Sequence, residues 1–109
     1  MDMDVERKGS TLIATPKGRI DGLNAGEFSD ALTAAIQPDD RLLLVDFSQM
    51  SYISSAGLRV ILSQAKAMSA QEGKLDICSP PENILEVLKI SGFDQILTIH
   101  DARAEAVAT

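Results

Sequence analysis

Apolar and polar positions fall in short blocks along this chain, and the period changes from block to block. Asp2 to Arg7 alternates mildly, Lys8-Gly9 interrupts it, and Thr11-Leu12-Ile13-Ala14-Thr15 is a short β-branched run. Two strands joined at Gly9 in an edge hairpin are predicted. Pro16 suits the end of the second strand, because it has no N–H to give to a ladder. Gly18-Arg19-Ile20-Asp21-Gly22 reads as a turn-rich connector. Phe28, Leu32, Ala35 and Ile36 then recur at helical spacing, which predicts a helix over 24–36 with Asn24 and Glu27 placed as a capping box. Arg41 to Phe47 is almost continuously apolar, the pattern of a central strand covered on both faces. A polar, small-residue connection over 48–57 leads to Leu58, Ile61, Leu62, Ala65 and Met68, a second amphipathic helix closed by Gly73. Lys74 to Cys78 is a short strand, and Ser79-Pro80-Pro81 opens a third helix carrying Ile84, Leu85, Val87 and Leu88 up to Ser91-Gly92. Ile96 to Ile99 is the last strand, and Asp101 stands where it would cap a terminal helix within 101–109. The order β-β-α-β-α-β-α-β-α predicts a single α/β domain over 1–109, with a mixed sheet of about five strands, parallel crossovers and helices packed against it.

Composition narrows the function more than the fold. The chain has 109 residues, a size at which one hydrophobic core suffices, and 45% of them are hydrophobic. With aromatics at only 4% and no Trp, aliphatic side chains must fill that core. Cys78 and His100 are the only residues of their kinds, which excludes an internal disulfide, a multi-cysteine zinc site and a paired-histidine metal site. Sixteen acidic against ten basic side chains give a net charge of −6, the wrong sign for a nucleic-acid footprint. No apolar run approaches the roughly 20 residues of a membrane-spanning helix. The acidic start, Met1-Asp2-Met3-Asp4, is unlike a secretory leader. A cytoplasmic protein without cofactor, metal or catalytic centre is expected, one that is bound or modified by others. Cys78 is expected to be a small buried hydrophobe, and Asp39-Asp40 a solvated turn. Asp46 either orients the following connection by accepting backbone N–H bonds or merely ends its strand.

The informative stretch is Asp46 to Leu62, DFSQMSYISSAGLRVIL, which runs strand, polar connection, two serines, a small residue, a glycine and a helix. Three readings compete. Ser54 or Ser55 caps the helix. Alternatively, Ser55 is a nucleophile on a strand-turn-helix elbow; Gly57 stands two residues after it, but Ile53 occupies the preceding glycine position and His100 is the only available imidazole. In the third reading a serine here is a phosphorylation switch, since about −1.5 to −2 of added charge is tolerated at a helix N-terminus yet repels an acidic partner on a docking face.

The stretch resembles the signature of the STAS domain family, and more narrowly that of stand-alone bacterial anti-sigma factor antagonists. Asp46 matches the strand-end acid, Ser55 the phosphorylated serine, and Gly57-Leu58 the pair that follows. Ser54 stands where Asp is common, Ala56 where a hydroxyl residue is usual, and Arg59 where Gly is common. Gly18-Arg19-Ile20-Asp21 resembles the family's Gly-x-Leu/Ile-Asp turn, and Ser91-Gly92-Phe93 its connection before the last strand. The resemblance implies partner switching. The unphosphorylated protein binds an anti-sigma factor that is also a serine kinase of histidine-kinase-like ATPase fold. Phosphorylation at Ser55 ends binding, and a PP2C-type phosphatase restores it. On this basis Asp21, Ser54, Ala56, Gly57, Leu58 and Arg59 flank the docking face, and ATP belongs to the partner. The competing expectation is an unphosphorylated STAS scaffold, such as an accessory subunit of an ABC-type lipid transport complex.

Overall fold

The computed structural model describes residues 1–107. Strands β1 (Met3–Lys8) and β2 (Thr11–Pro16) form the expected antiparallel hairpin, with Met3 opposite Pro16 and Lys8 opposite Thr11. Strand β4 (Leu42–Asp46) lies parallel to β2, β6 (Lys74–Cys78) parallel to β4, and β7 (Thr98–His100) parallel to β6. The five-stranded mixed sheet therefore runs β1-β2-β4-β6-β7, and its apolar strand β4 is central.

Pleating divides the strand residues between two faces. Leu12, Ala14, Leu43, Val45, Leu75 and Ile77 belong to the main core, with helices α1 (Ala25–Ala35), α2 (Ser55–Ala70) and α3 (Glu82–Ile90). These helices contribute Phe28 and Leu32, then Leu58, Ile61 and Met68, then Ile84 and Leu88. The other face carries Ile13, Leu44 and Cys78, covered by Ala106 of the short helix α4 (Arg103–Val107). No helix among the described residues is long and apolar enough to cross a membrane.

Four local expectations need correction. Both polar connectors contain a strand: β3 (Gly18–Ile20) and β5 (Met50–Ile53) pair in parallel as a separate two-stranded ribbon. Neither segment alternates cleanly; β5 buries Met50 and Ile53 at its ends and exposes Ser51 and Tyr52 between them, which hides it from a period-two search. The capping box at α1 does not form. Asn24 holds the N-cap position, but its side chain turns back to the preceding segment, while Glu27 pairs with the N-terminal ammonium at 3.1 Å. The last strand begins two residues late, because Phe93–Gln95 forms a 3-10 turn whose Phe93 carbonyl accepts from both Ile96 and Leu97, leaving Ile96 exposed. Helix α4 starts at Arg103, and Asp101 makes no side-chain hydrogen bond among the described residues. Residues 108–109 of the expected terminal helix lie outside the described residues.

Candidate functional site

The two-stranded ribbon is the platform of the site. Strand β3 follows β2 through Lys17 alone, and β5 follows β4 through Phe47, Ser48 and Gln49, so the ribbon extends from the carboxyl ends of neighbouring sheet strands. Gly18 opens β3 at φ +81°, a backbone state that L side chains rarely adopt, and its N–H donates to the Gln49 carbonyl at 3.0 Å. Beyond the last pair, Ile20 and Ile53, the Ser54 N–H donates to the Ile20 carbonyl at 2.8 Å. Asp21 follows Ile20 and Ser55 follows Ser54, so this hydrogen bond brings the Gly-x-Ile-Asp turn and the serine pair together.

The two serines have different tasks. Ser54 is the N-cap of α2: its backbone is extended, its Oγ accepts from the Gly57 N–H at 3.3 Å, and its carbonyl accepts from Leu58 at 3.0 Å. Ser55 is the first helical residue, exposed, and its hydroxyl makes no hydrogen bond among the described residues. The first N–H groups of a helix lack intrahelical acceptors and give this end a positive partial charge. Gly57 and Leu58 lie beneath the surface. A Cβ on Gly57 would stand 2.7 Å from Ile53 Cγ1 and 2.8 Å from Ile20 Cγ2, so glycine permits the helix to sit this close to the ribbon. Leu58 is part of the main core. These two set the height of the helix; half-buried Ala56 and exposed Arg59 are at its surface.

Asp21 shapes the neighbouring turn. Its Oδ1 accepts from the Leu23 N–H at 2.9 Å, and its own N–H donates to Asn24 Oδ1 at 2.9 Å. Asn24 Nδ2 donates to the Arg19 carbonyl at 2.8 Å. This network holds Leu23 out in solvent at 95% exposure. On the ribbon, the Arg19 guanidinium lies 4.5 Å from the centroid of the half-exposed Tyr52 ring. Leu23 and Tyr52 do not stand out in the sequence, since neither falls in a periodic apolar pattern.

Asp46 orients the connection and does more than end its strand. Its Oδ1 accepts from the Ser48 N–H at 2.9 Å, and its Oδ2 pairs with Arg103 at 3.0 Å. Arg103 also reaches Glu6 at 2.7 Å and Thr15 at 3.1 Å, so α4 is tied to β1, β2 and β4 by one side chain. A cleft of about 600 Å³ beside it is lined by Asp4, Glu6, Lys17 and Arg103 among others, and contains none of the serine-site residues. Its lysine is engaged with Asp4 at 3.0 Å.

The elbow reading finds no base. His100 Nε2 is 2.9 Å from Asp76 Oδ2 and makes no hydrogen bond to Ser54 or Ser55. Cys78 is fully buried, and burial, then the Asp46 charge, push its thiol up to about 11. It is a packing residue. Asp40 is buried instead of solvated, with Arg7 at 2.9 Å and the Gln37 N–H at 2.8 Å. Among the described residues, no cluster of His, Cys, Asp or Glu could hold a metal ion.

A model of the STAS domain matches residues 2–106 of this chain. A protein of Bordetella bronchiseptica described as a candidate anti-sigma factor antagonist, BtrV, is 33% identical over 108 residues, spanning 99% of this chain and 93% of that protein. The crystal structure of a candidate anti-sigma factor antagonist from Thermotoga maritima superposes with a TM-score of 0.89 at 23% identity, covering 97% of this chain and 92% of that one. The Bacillus cell fate determinant SpoIIAA has the same fold at 18% identity. Its unphosphorylated form gives a TM-score of 0.82 with 97% and 93% of the chains covered, and its phosphorylated form 0.75 with 98% and 97%. The match extends over nearly the whole length, from β1 to α4: the chain belongs to the STAS domain family.

Proposed function

We propose that this protein is an anti-sigma factor antagonist that acts by binding, and that Ser55 is its phosphorylation switch. In the unphosphorylated form it engages an anti-sigma factor that is also a serine kinase of histidine-kinase-like ATPase fold, and so releases that factor's target. The kinase transfers the γ-phosphoryl group of its own ATP. Ser55 Oγ forms the new O–P bond and gives up its proton, and ADP leaves. The added dianion sits on the docking face and ends binding; a PP2C-type phosphatase hydrolyses it and restores the first state.

The observation that carries this reading is the division of labour between the serines. Ser54 is committed to the cap, whereas Ser55 is exposed, at the first helical position, with its hydroxyl unengaged among the described residues. Its surroundings suit docking: Asp21, Ala56 and Arg59 lie near the surface, and the rigid turn displays Leu23. The Bordetella relative, itself described as a candidate anti-sigma factor antagonist, supports the same reading. The cytoplasm is the compartment in which such a switch operates.

The test is phosphorylation of the purified protein by the serine kinase of its own organism with radiolabelled ATP. Labelling is expected in the parent and in Ser54→Ala, and none in Ser55→Ala. Undiminished labelling of Ser55→Ala would remove Ser55 from its role. Capture of a membrane transport complex in place of a kinase would favour the accessory-subunit alternative.

A further inference from the structure

Ser55 and Arg59 are separated by one helical turn, and both are exposed. Residues at this spacing have Cβ atoms about 6 Å apart. Helical side chains lean toward the N-terminus, so the stem of Arg59 projects back over the turn that carries Ser55. The other four arginines are occupied. Arg7 binds Asp40, Arg19 lies over Tyr52, Arg41 donates to the Pro38 and Asp40 carbonyls, and Arg103 bridges Glu6 and Asp46. Arg59 has no hydrogen bond, ion pair or ring contact among the described residues. Its own helix, SAGLRVILSQAKAMSA, contains no carboxylate that would occupy it. Of the five arginines, Arg59 alone has no polar or ring partner among the described residues.

We propose that Arg59 is the intramolecular counter-ion of a phosphate on Ser55, folding back along α2 to pair with the phosphate oxygens once the switch is set. The proposal rests on Ser55 being the phosphoacceptor. An anion placed four residues before a cation is the favoured order for such a pair. The planar guanidinium fork matches two phosphate oxygens, which a point charge on lysine does less well. The consequence is a double change on one face: phosphorylation adds an anion, and the same event withdraws the free cation that the unphosphorylated protein offers to a carboxylate of its partner. Arg59 is a positioning residue; it touches none of the reacting atoms of phosphoryl transfer.

The test does not need the kinase. Phosphoserine is installed at position 55 by genetic-code expansion, and its second ionisation is followed by phosphorus NMR against pH in the parent, Arg59→Gln and Arg59→Lys. The phosphate in the parent is expected to titrate about half a unit lower than in Arg59→Gln, with Arg59→Lys between them, the size of an exposed and partly screened charge pair. The gap should close in about 1 M NaCl, where the screening length falls to roughly 3 Å. Superimposable titrations of the parent and Arg59→Gln would overturn the pairing. Kinase labelling of Ser55→Ala separates the two claims: unchanged labelling sinks the phosphoacceptor assignment while the NMR shift still reports the pair, and lost labelling with no NMR shift sinks the pair alone.

Discussion

Ser54 and Gly57 show how neighbouring residues divide the work that makes Ser55 available. Ser54 takes the capping bond to Gly57, so the Ser55 hydroxyl is left unengaged. Removing that cap in Ser54→Ala should cost about 1 kcal/mol in urea unfolding, the usual loss for an N-cap serine, while Ser55 remains in place. Gly57 acts by absence: a methyl group there meets Ile53 and Ile20 below 3.0 Å, and both are buried branched side chains with little room to yield. Gly57→Ala should therefore destabilise the protein by about 1–3 kcal/mol, as overpacking does, despite the better helix propensity of alanine. A neutral or stabilising result would mean that the close seat of α2 on the ribbon is not needed.

At the scale of elements, the site is the meeting of a ribbon, a turn and a helix end, and its stability depends on ties elsewhere in the fold. One such tie is Asp40, which lies between α1 and β4 and binds Arg7 of β1. The hydrogen bond from Arg7 holds the Asp40 carboxyl below its usual value, assisted by the Gln37 N–H. The unfolded chain binds that proton more readily, so the stabilisation is present above about pH 4 and is lost as the pH falls through the depressed folded value. Asp40→Asn should lose about 2 kcal/mol at pH 7 and show a shallower loss of stability on acidification, measured by urea unfolding at pH 7 and at about pH 3. Much of this architecture is legible from periodicity. The three large helices and the strand runs at 11–16, 42–46 and 74–78 announce themselves because each buries one or both faces over several residues. Segments β3 and β5 do not, because a short ribbon held by backbone hydrogen bonds leaves no alternating trace in Gly18-Arg19-Ile20 or Met50-Ser51-Tyr52-Ile53. The candidate site was approached in the sequence through the family's motif at Ser55, which remains the proposed phosphoacceptor. Which serine caps, the inward place of Gly57 and Leu58, and the exposed Leu23 follow from three-dimensional packing that spacing does not encode.

For the molecule as a whole, the lone His100 and Cys78 are engaged in structure, one with Asp76 and the other in the apolar layer under α4. In the proposed function, reactive chemistry is left to a partner, and this chain supplies a docking surface with Ser55 as the hydroxyl to be modified. On that proposal the protein changes its state by a change of charge at one point, and its fold is expected to be the same on both sides of the switch. The most direct measurement is calorimetric titration of the anti-sigma factor/kinase with the unphosphorylated protein and with the form carrying phosphoserine at position 55. Saturable binding of the first and loss of measurable binding of the second are expected, while the circular dichroism spectra of the two forms coincide. Equal affinity for both forms would contradict the proposed switch.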